Sequence, residues 1–169
     1  MYIKRMKILK NKIFNNWISA IIILPVNVLI VIPVVLLYLT GYSFKQPNIL
    51  QVVFCLICFI IGAFFAGWSM MTFKSKGNGT PAPWAPPQNF VVSGPYRYVR
   101  NPMISGVIFI LLSEFYITKS LAIFLWFLFF VFANLFYIRF VEEPALKKRF
   151  GEPYEAYLQK VPCWIPKIF

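Results

Sequence analysis

Arg97, Arg100 and Asn101 stand just before one apolar segment, 103–117, and Glu142 and Glu143 follow the next, 120–140. These are the residues whose types and spacing suit chemistry. If the two segments fold into a membrane hairpin, two guanidinium groups, an amide and two adjacent carboxylates meet on one side of the bilayer. Such a pocket can hold a small zwitterion, because arginine grips a carboxylate through a two-pronged pair and glutamates attract cationic groups. The plainer use of the same residues is interfacial ion pairing, one arginine neutralising one glutamate. Spacing alone leaves both open.

The elements that must position these groups are membrane helices. Of 169 residues, 60% are hydrophobic, 20% aromatic and 13% charged, with a mean hydropathy of +0.70. A soluble domain is nearer about half apolar and a quarter charged. The net charge of +12 does not indicate nucleic-acid binding. The cations sit at the edges of apolar segments, where membrane topology puts them, and no basic patch interleaved with exposed aromatics stands apart. With no histidine in the chain, the usual transition-metal ligand and the usual general base are missing, and no metal site is expected. Cys55 and Cys58 form a C-x-x-C inside an apolar run, which reads as two small buried side chains rather than a redox pair.

The chain divides into four apolar spans, at about 17–39, 49–73, 103–117 and 120–140, long enough to approach a bilayer's thickness. The expected fold is a single all-α integral membrane domain of about four transmembrane helices, with a cytosolic Pro/Gly loop and short C-terminal helices. Its polar region covers 77–102 and 141–166. Five cations precede the first span, four lie between the second and third, six run from Arg139 to the end, and each opposite turn holds one, Lys45 or Lys119. The positive-inside rule then places both termini on the cytoplasmic side. Gly62, Ala63, Ala66 and Gly67 offer a small-residue surface for close helix approach. Asn101 is an expected N-cap and Pro102 a first-turn residue of the third span. Pro144 and Pro153 are expected to open two short helices, and Tyr154, Tyr157, Leu158 and Val161 share a face of the second. Glu114, near the far end of the third span, is either a functional carboxylate or a partner of Lys119.

Several blocks together carry a resemblance. Gly94-Pro95-Tyr96-Arg97-Tyr98-Val99-Arg100-Asn101-Pro102, a hairpin, Glu142-Glu143-Pro144-x-Leu146, Phe150-Gly151-Glu152-x-Tyr154-x-x-Tyr157 and Val161-Pro162 resemble the isoprenylcysteine carboxyl methyltransferase and phospholipid methyltransferase superfamily. The resemblance implies a membrane enzyme that uses S-adenosylmethionine (SAM), bound on the cytosolic side, with a lipophilic acceptor entering laterally from the bilayer. It implies Arg100, Asn101, Glu142 and Glu143 as catalytic residues. Gly94, Tyr96, Arg97, Tyr98, Pro102, Tyr154 and Tyr157 join them as cofactor-binding residues. The glutamates suit the donor's cations or ribose hydroxyls, an arginine suits its carboxylate, and the tyrosines with Trp164 offer ring faces to the adenine. Gly79-Thr80-Pro81-Ala82-Pro83 is similar to a loop of bacterial members, which implies a bacterial inner membrane.

The superfamily's turn is Arg-His-Pro-x-Tyr; here it reads Arg100-Asn101-Pro102-Met103-Ile104. Asn101 can hydrogen-bond but carries no titrating proton, and Ile104 has no phenol. An ionised carboxylate or thiol acceptor needs no base, whereas an ethanolamine nitrogen must first lose a proton to a glutamate, a tyrosine or water. Two other functions fit part of the pattern. One is a nicotinamide-dependent membrane reductase of the sterol-reductase type. The other is a small non-enzymatic membrane protein, for which the polar loop and tail have no evident use.

Overall fold

The computed structural model describes residues 22–77 and 89–164. The expectations for the basic stretch before the first span, that span's start, most of the Pro/Gly loop with Gly79-Thr80-Pro81-Ala82-Pro83, and residues 165–166 lie outside the described residues. Every described element is helical. Helix α1 is a π-helical segment, Ile22–Val31, running into an α-helical one, Ile32–Leu39. Helix α2 is Ile49–Gly77, α3 Pro102–Thr118, α4 Leu121–Phe150 and α5 Glu152–Lys160, with a short 3-10 turn, Gly94–Arg97, ahead of α3.

Local chemistry explains the boundaries. Asn48 opens α2 with a reciprocal cap. Its side chain accepts from the Gln51 amide at 2.9 Å, and the Gln51 side chain accepts from the Asn48 amide at 2.9 Å. Two otherwise orphaned donors are thereby satisfied. Pro102 starts α3 and costs no intrahelical bond there. Asn101 occupies the N-cap position but makes no side-chain cap; its amide turns to the C-terminal tail instead.

The fourth helix departs from expectation. Its α-helical part, Leu121–Tyr137, passes through a π turn, Ile138–Glu142, into the first expected short helix, Glu143–Phe150, which has Pro144 in its first turn; the departure is that the three run on without a break. Proline has no N–H and its ring crowds the preceding turn, and the backbone just before it, Ile138–Glu142, widens to π register. Such a bulge re-aims the side chains at its end, here the glutamate pair.

Two described helices, Ile49–Gly77 and Leu121–Phe150, are long and apolar enough to cross a membrane. Pro25–Leu39 and Pro102–Thr118 are shorter apolar helices. At about 1.5 Å per residue, α3 reaches roughly 25 Å, short of the ~30 Å hydrocarbon core. Large side chains point outward along α2 and α4, among them Phe59, Ile60, Phe64, Phe129, Phe132 and Phe136, as suits a lipid-solvated exterior.

The tightest seam is α2 against α3. A Cβ on Gly62 would stand 2.6 Å from the Gly106 carbonyl oxygen, and one on Gly106 would stand 2.7 Å from the Gly62 carbonyl oxygen and 2.8 Å from the Ala66 nitrogen. The backbones meet because neither residue has a side chain, the small-residue mode of membrane helix packing. Gly67, expected in the same surface, has nothing within 4 Å of a built Cβ. Across the bundle, the Trp126 indole donates to the Val28 carbonyl at 3.1 Å, tying α4 to α1. Cys58 is buried and Cys55 lies 3.5 Å from the Ser113 hydroxyl, in keeping with a packing role. Glu114 forms no ion pair with Lys119 among the described residues.

Gly106→Ala should force the α2–α3 seam apart and cost about 1–3 kcal/mol, read as a lower thermal midpoint in detergent. Gly67→Ala, with open space for its methyl, should leave that midpoint unchanged.

Candidate active site

The turn before α3 is clamped from both sides. On one side lies the end of α2. The Ser69 and Tyr96 hydroxyls are 2.6 Å apart, and Phe73 packs on the Tyr96 ring at 5.1 Å. Gly94, with φ of +62°, sits so close to α2 that a Cβ would lie 2.7 Å from the Thr72 hydroxyl; both the conformation and the space require glycine. On the other side lies the tail after α5. The Arg100 amide donates to the Pro162 carbonyl at 2.9 Å and the Asn101 amide to the Cys163 carbonyl at 3.2 Å. The Asn101 side-chain amide reaches Cys163 Sγ at 3.4 Å.

The α5 face holds that tail in place. Tyr154, Tyr157 and Val161 are buried together with Leu158 and Phe90 against them. Phe90 contributes from the segment before the turn, its ring 5.3 Å from Tyr157 and 5.2 Å from Phe150. The Tyr157 hydroxyl donates to the Tyr96 carbonyl at 2.7 Å. Burial pushes the Tyr96 phenol above its ordinary value, with the Ser69 hydrogen bond opposing. It raises Tyr157 likewise and Tyr154 to about 12. Burial also raises the Cys163 thiol, against the opposing pull of the Asn101 hydrogen bond. At neutral pH all four are therefore protonated: Tyr157 is a donor, the tyrosine rings are packing surfaces, and none of the four is a resident base.

The glutamates divide. Glu143 is 7% exposed at its side chain and both its oxygens are engaged, Oε1 by Arg100 at 2.7 Å and Oε2 by Arg139 at 3.3 Å. Glu142 forms no ion pair or hydrogen bond among the described residues, yet its charge acts on Tyr96, Tyr154 and Cys163. It therefore lies beside the clamp. Arg100 donates to Glu143 through Nη1 while, among the described residues, its buried Nε has no partner and the buried Trp164 indole nitrogen has none either. The structure thus brings Arg100, Asn101, Glu142, Glu143 and Pro102 to one place, over a floor of Tyr96, Tyr154 and Tyr157. Arg97 and Tyr98 point outward; the Tyr98 ring lies 6.3 Å from Trp68.

Three residues here were not singled out from the sequence. Arg139 had a signal, its i,i+4 spacing to Glu143, but served there only as one cation in the topology count. Cys163 and Ser69 had none, since their roles depend on which segments meet.

Glu143→Ala should leave Arg100 buried without its counter-charge and cost about 3 kcal/mol or more, visible as a large fall in the thermal midpoint. Glu142→Ala, which breaks no described contact, should keep the midpoint of the unsubstituted protein.

No curated protein matches the chain. The phospholipid methyltransferase family model matches residues 50–153, a stretch that runs from the start of α2 through the turn and both glutamates into α5. That is more than half of the 169 residues. The chain therefore belongs to the phospholipid methyltransferase family, whose members are membrane methyltransferases acting on lipid-like substrates.

Proposed function

We propose that the chain is a SAM-dependent methyltransferase, with the donor held at the polar mouth of the α3–α4 hairpin and a lipophilic acceptor arriving from the bilayer. One observation carries the reading: among the described residues, the fully engaged Glu143 has beside it a carboxylate with no ion pair or hydrogen bond, Glu142, and a buried guanidinium N–H without an acceptor, Arg100 Nε. A zwitterion complements that pair. The residues present fit SAM, which carries an ammonium, a sulfonium and a carboxylate. Glu142 would take a cationic group and Arg100 the carboxylate, while Asn101 and the amides at the start of α3 would add donors. Trp164, next to the Cys163 that meets Asn101, offers an aromatic face to the adenine, whereas Tyr98 and Arg97 point outward. Tyr96, Tyr154 and Tyr157 support the turn from beneath, and Gly94 and Pro102 shape it.

Bound SAM would supply a methyl group on a cationic sulfur. The chain's own part is positioning and exclusion of water, the larger share of the acceleration in a two-reactant displacement. Glu143 holds Arg100 rigid. The tail, joined to the turn through Pro162 and Cys163, fixes the turn's backbone. With the tyrosines neutral, the groups left to accept a proton are Glu142 and water, so an acceptor already ionised, a carboxylate or a thiolate, suits this site best. The arrangement in the bilayer is proposed as a single domain of four spans, with the three cation-rich regions on the cytosolic side of a bacterial inner membrane, in line with the positive-inside count.

Calorimetry on detergent-purified protein tests the donor site. SAM should bind saturably, and Glu142→Ala should weaken it about tenfold or more, the loss of roughly one charge-assisted contact, without loss of fold. Absence of SAM binding by monodisperse protein, with NADPH bound instead, would overturn the reading in favour of a reductase.

A further inference from the structure

Two guanidiniums and two carboxylates gather at the polar end of the α3–α4 hairpin, but they are shared unevenly. Arg100 and Arg139 both go to Glu143, at 2.7 Å and 3.3 Å. Glu142, next to it on the same helix, has neither, and among the described residues it makes no ion pair or hydrogen bond. Burial raises its carboxyl above the ordinary value, the Glu143 charge raises it further, and no cation offsets them. The other titratable groups that feel Glu142 are Tyr96 from the turn, Tyr154 from α5 and Cys163 from the tail. Burial keeps all three neutral, so they bring no counter-charge. An ionised Glu142 is therefore uncompensated on every side, which is costly at a half-buried position. A proton removes that cost. A resident cation would remove it too, but would compete with the charge of any cationic ligand.

We propose that Glu142 holds a proton before the donor binds and gives it up to solvent when the donor binds, so that loading of the site is coupled to pH. This rests on the SAM site inferred above and adds its regulation. The O–H bond of the Glu142 carboxyl breaks, the proton passes to water or buffer, and the carboxylate stays opposite the donor's cationic group. A nearby opposite charge favours the ionised form of a carboxyl, so Glu142 titrates at a lower pH in the complex than in the free protein. Between those two points the complex holds fewer protons than the separate partners, and affinity rises with pH by up to about tenfold per unit. Below both points Glu142 is protonated with or without the donor. Above both it is already ionised. The dependence vanishes in either limit, and acidification of the medium bathing the site unloads it.

The test is calorimetry of SAM binding to the full chain in detergent, at matched pH in two buffers of different ionisation enthalpy. The range is about pH 5 to 7, where the donor's own α-carboxyl (about 3.5) and α-amino group (about 8) keep a fixed charge. The difference in heat between the buffers counts the protons released. Up to about one proton should leave per SAM bound, and Kd should fall as pH rises. Glu142→Gln, which keeps the shape but cannot ionise, should bind SAM more weakly, with equal heats in both buffers and no pH dependence. Glu114→Gln removes another carboxylate that has a buried oxygen without a partner among the described residues, but near the opposite end of α3. It should release protons as the unsubstituted protein does. If Glu142→Gln fails to fold, the buffer pair on the unsubstituted protein and on Glu114→Gln still decides. Saturable SAM binding with equal heats in both buffers across the range would overturn the proposal and leave the donor site standing. So would proton release that survives Glu142→Gln or disappears with Glu114→Gln. No SAM binding at all would remove the donor site and this inference with it.

Discussion

One carboxylate holds this structure's polar end together. Glu143 is nearly buried at the edge of an apolar bundle, where an unpaired charge is costly. It is stable there because two guanidiniums reach it, one from the turn before α3 and one from its own helix a turn earlier. The pairing does more than balance charge. Arg100 and Glu143 are 43 positions apart, and joining them fixes the mouth of the α3–α4 hairpin. The π turn that precedes Pro144 sets the direction in which the glutamates leave the helix.

The neighbouring carboxylate acquires its different status from the same arrangement. Because Glu143 takes both arginines, Glu142 has no cation among the described residues. Two chemically identical side chains, adjacent in sequence, thus differ in what they offer to a ligand: one is internal structure and the other is available charge. The tyrosines show a similar division. Their rings and hydroxyls go to packing and to the Tyr157–Tyr96 bond, and burial keeps their protons on. The site's polar chemistry is left to few groups, which fits a reaction governed by alignment rather than by proton transfer.

The floor of the site depends on a contact far from it. The glycine pair of α2 and α3 lets two backbones touch, and that close approach carries the end of α2 up to the turn, where Ser69 and Thr72 meet Tyr96 and Gly94. Three remote segments then share one turn: the end of α2, the start of α3 and the tail after α5. Hydrogen bonds from the Arg100 and Asn101 amides to the tail make the tail part of the turn rather than a lid above it.

Much of this was legible in the sequence, because a bilayer imposes one-dimensional rules. Apolar runs must be helices, since lipid offers no hydrogen bonds to the backbone. Proline at Pro102 and Pro153 starts helices wherever they lie, and the i, i+3, i+4, i+7 pattern put Tyr154, Tyr157, Leu158 and Val161 on one face. Motif order alone pointed to Arg100, Asn101, Glu142 and Glu143. Pairing and direction needed the tertiary structure. Nothing local distinguishes Glu142 from Glu143, or Arg97 from Arg100, until a helix face and a π turn decide which points inward. Asn101 had the residue type of a cap, but the tail offered its amide another partner. Pro144 does stand in the first turn of an α-helical segment, but local rules cannot see that a π turn joins that segment to the rest of α4 without a break. Residue type and spacing determined the elements and the chemical inventory; the three-dimensional meeting of distant segments decided which of those groups are already satisfied and which remain for a ligand.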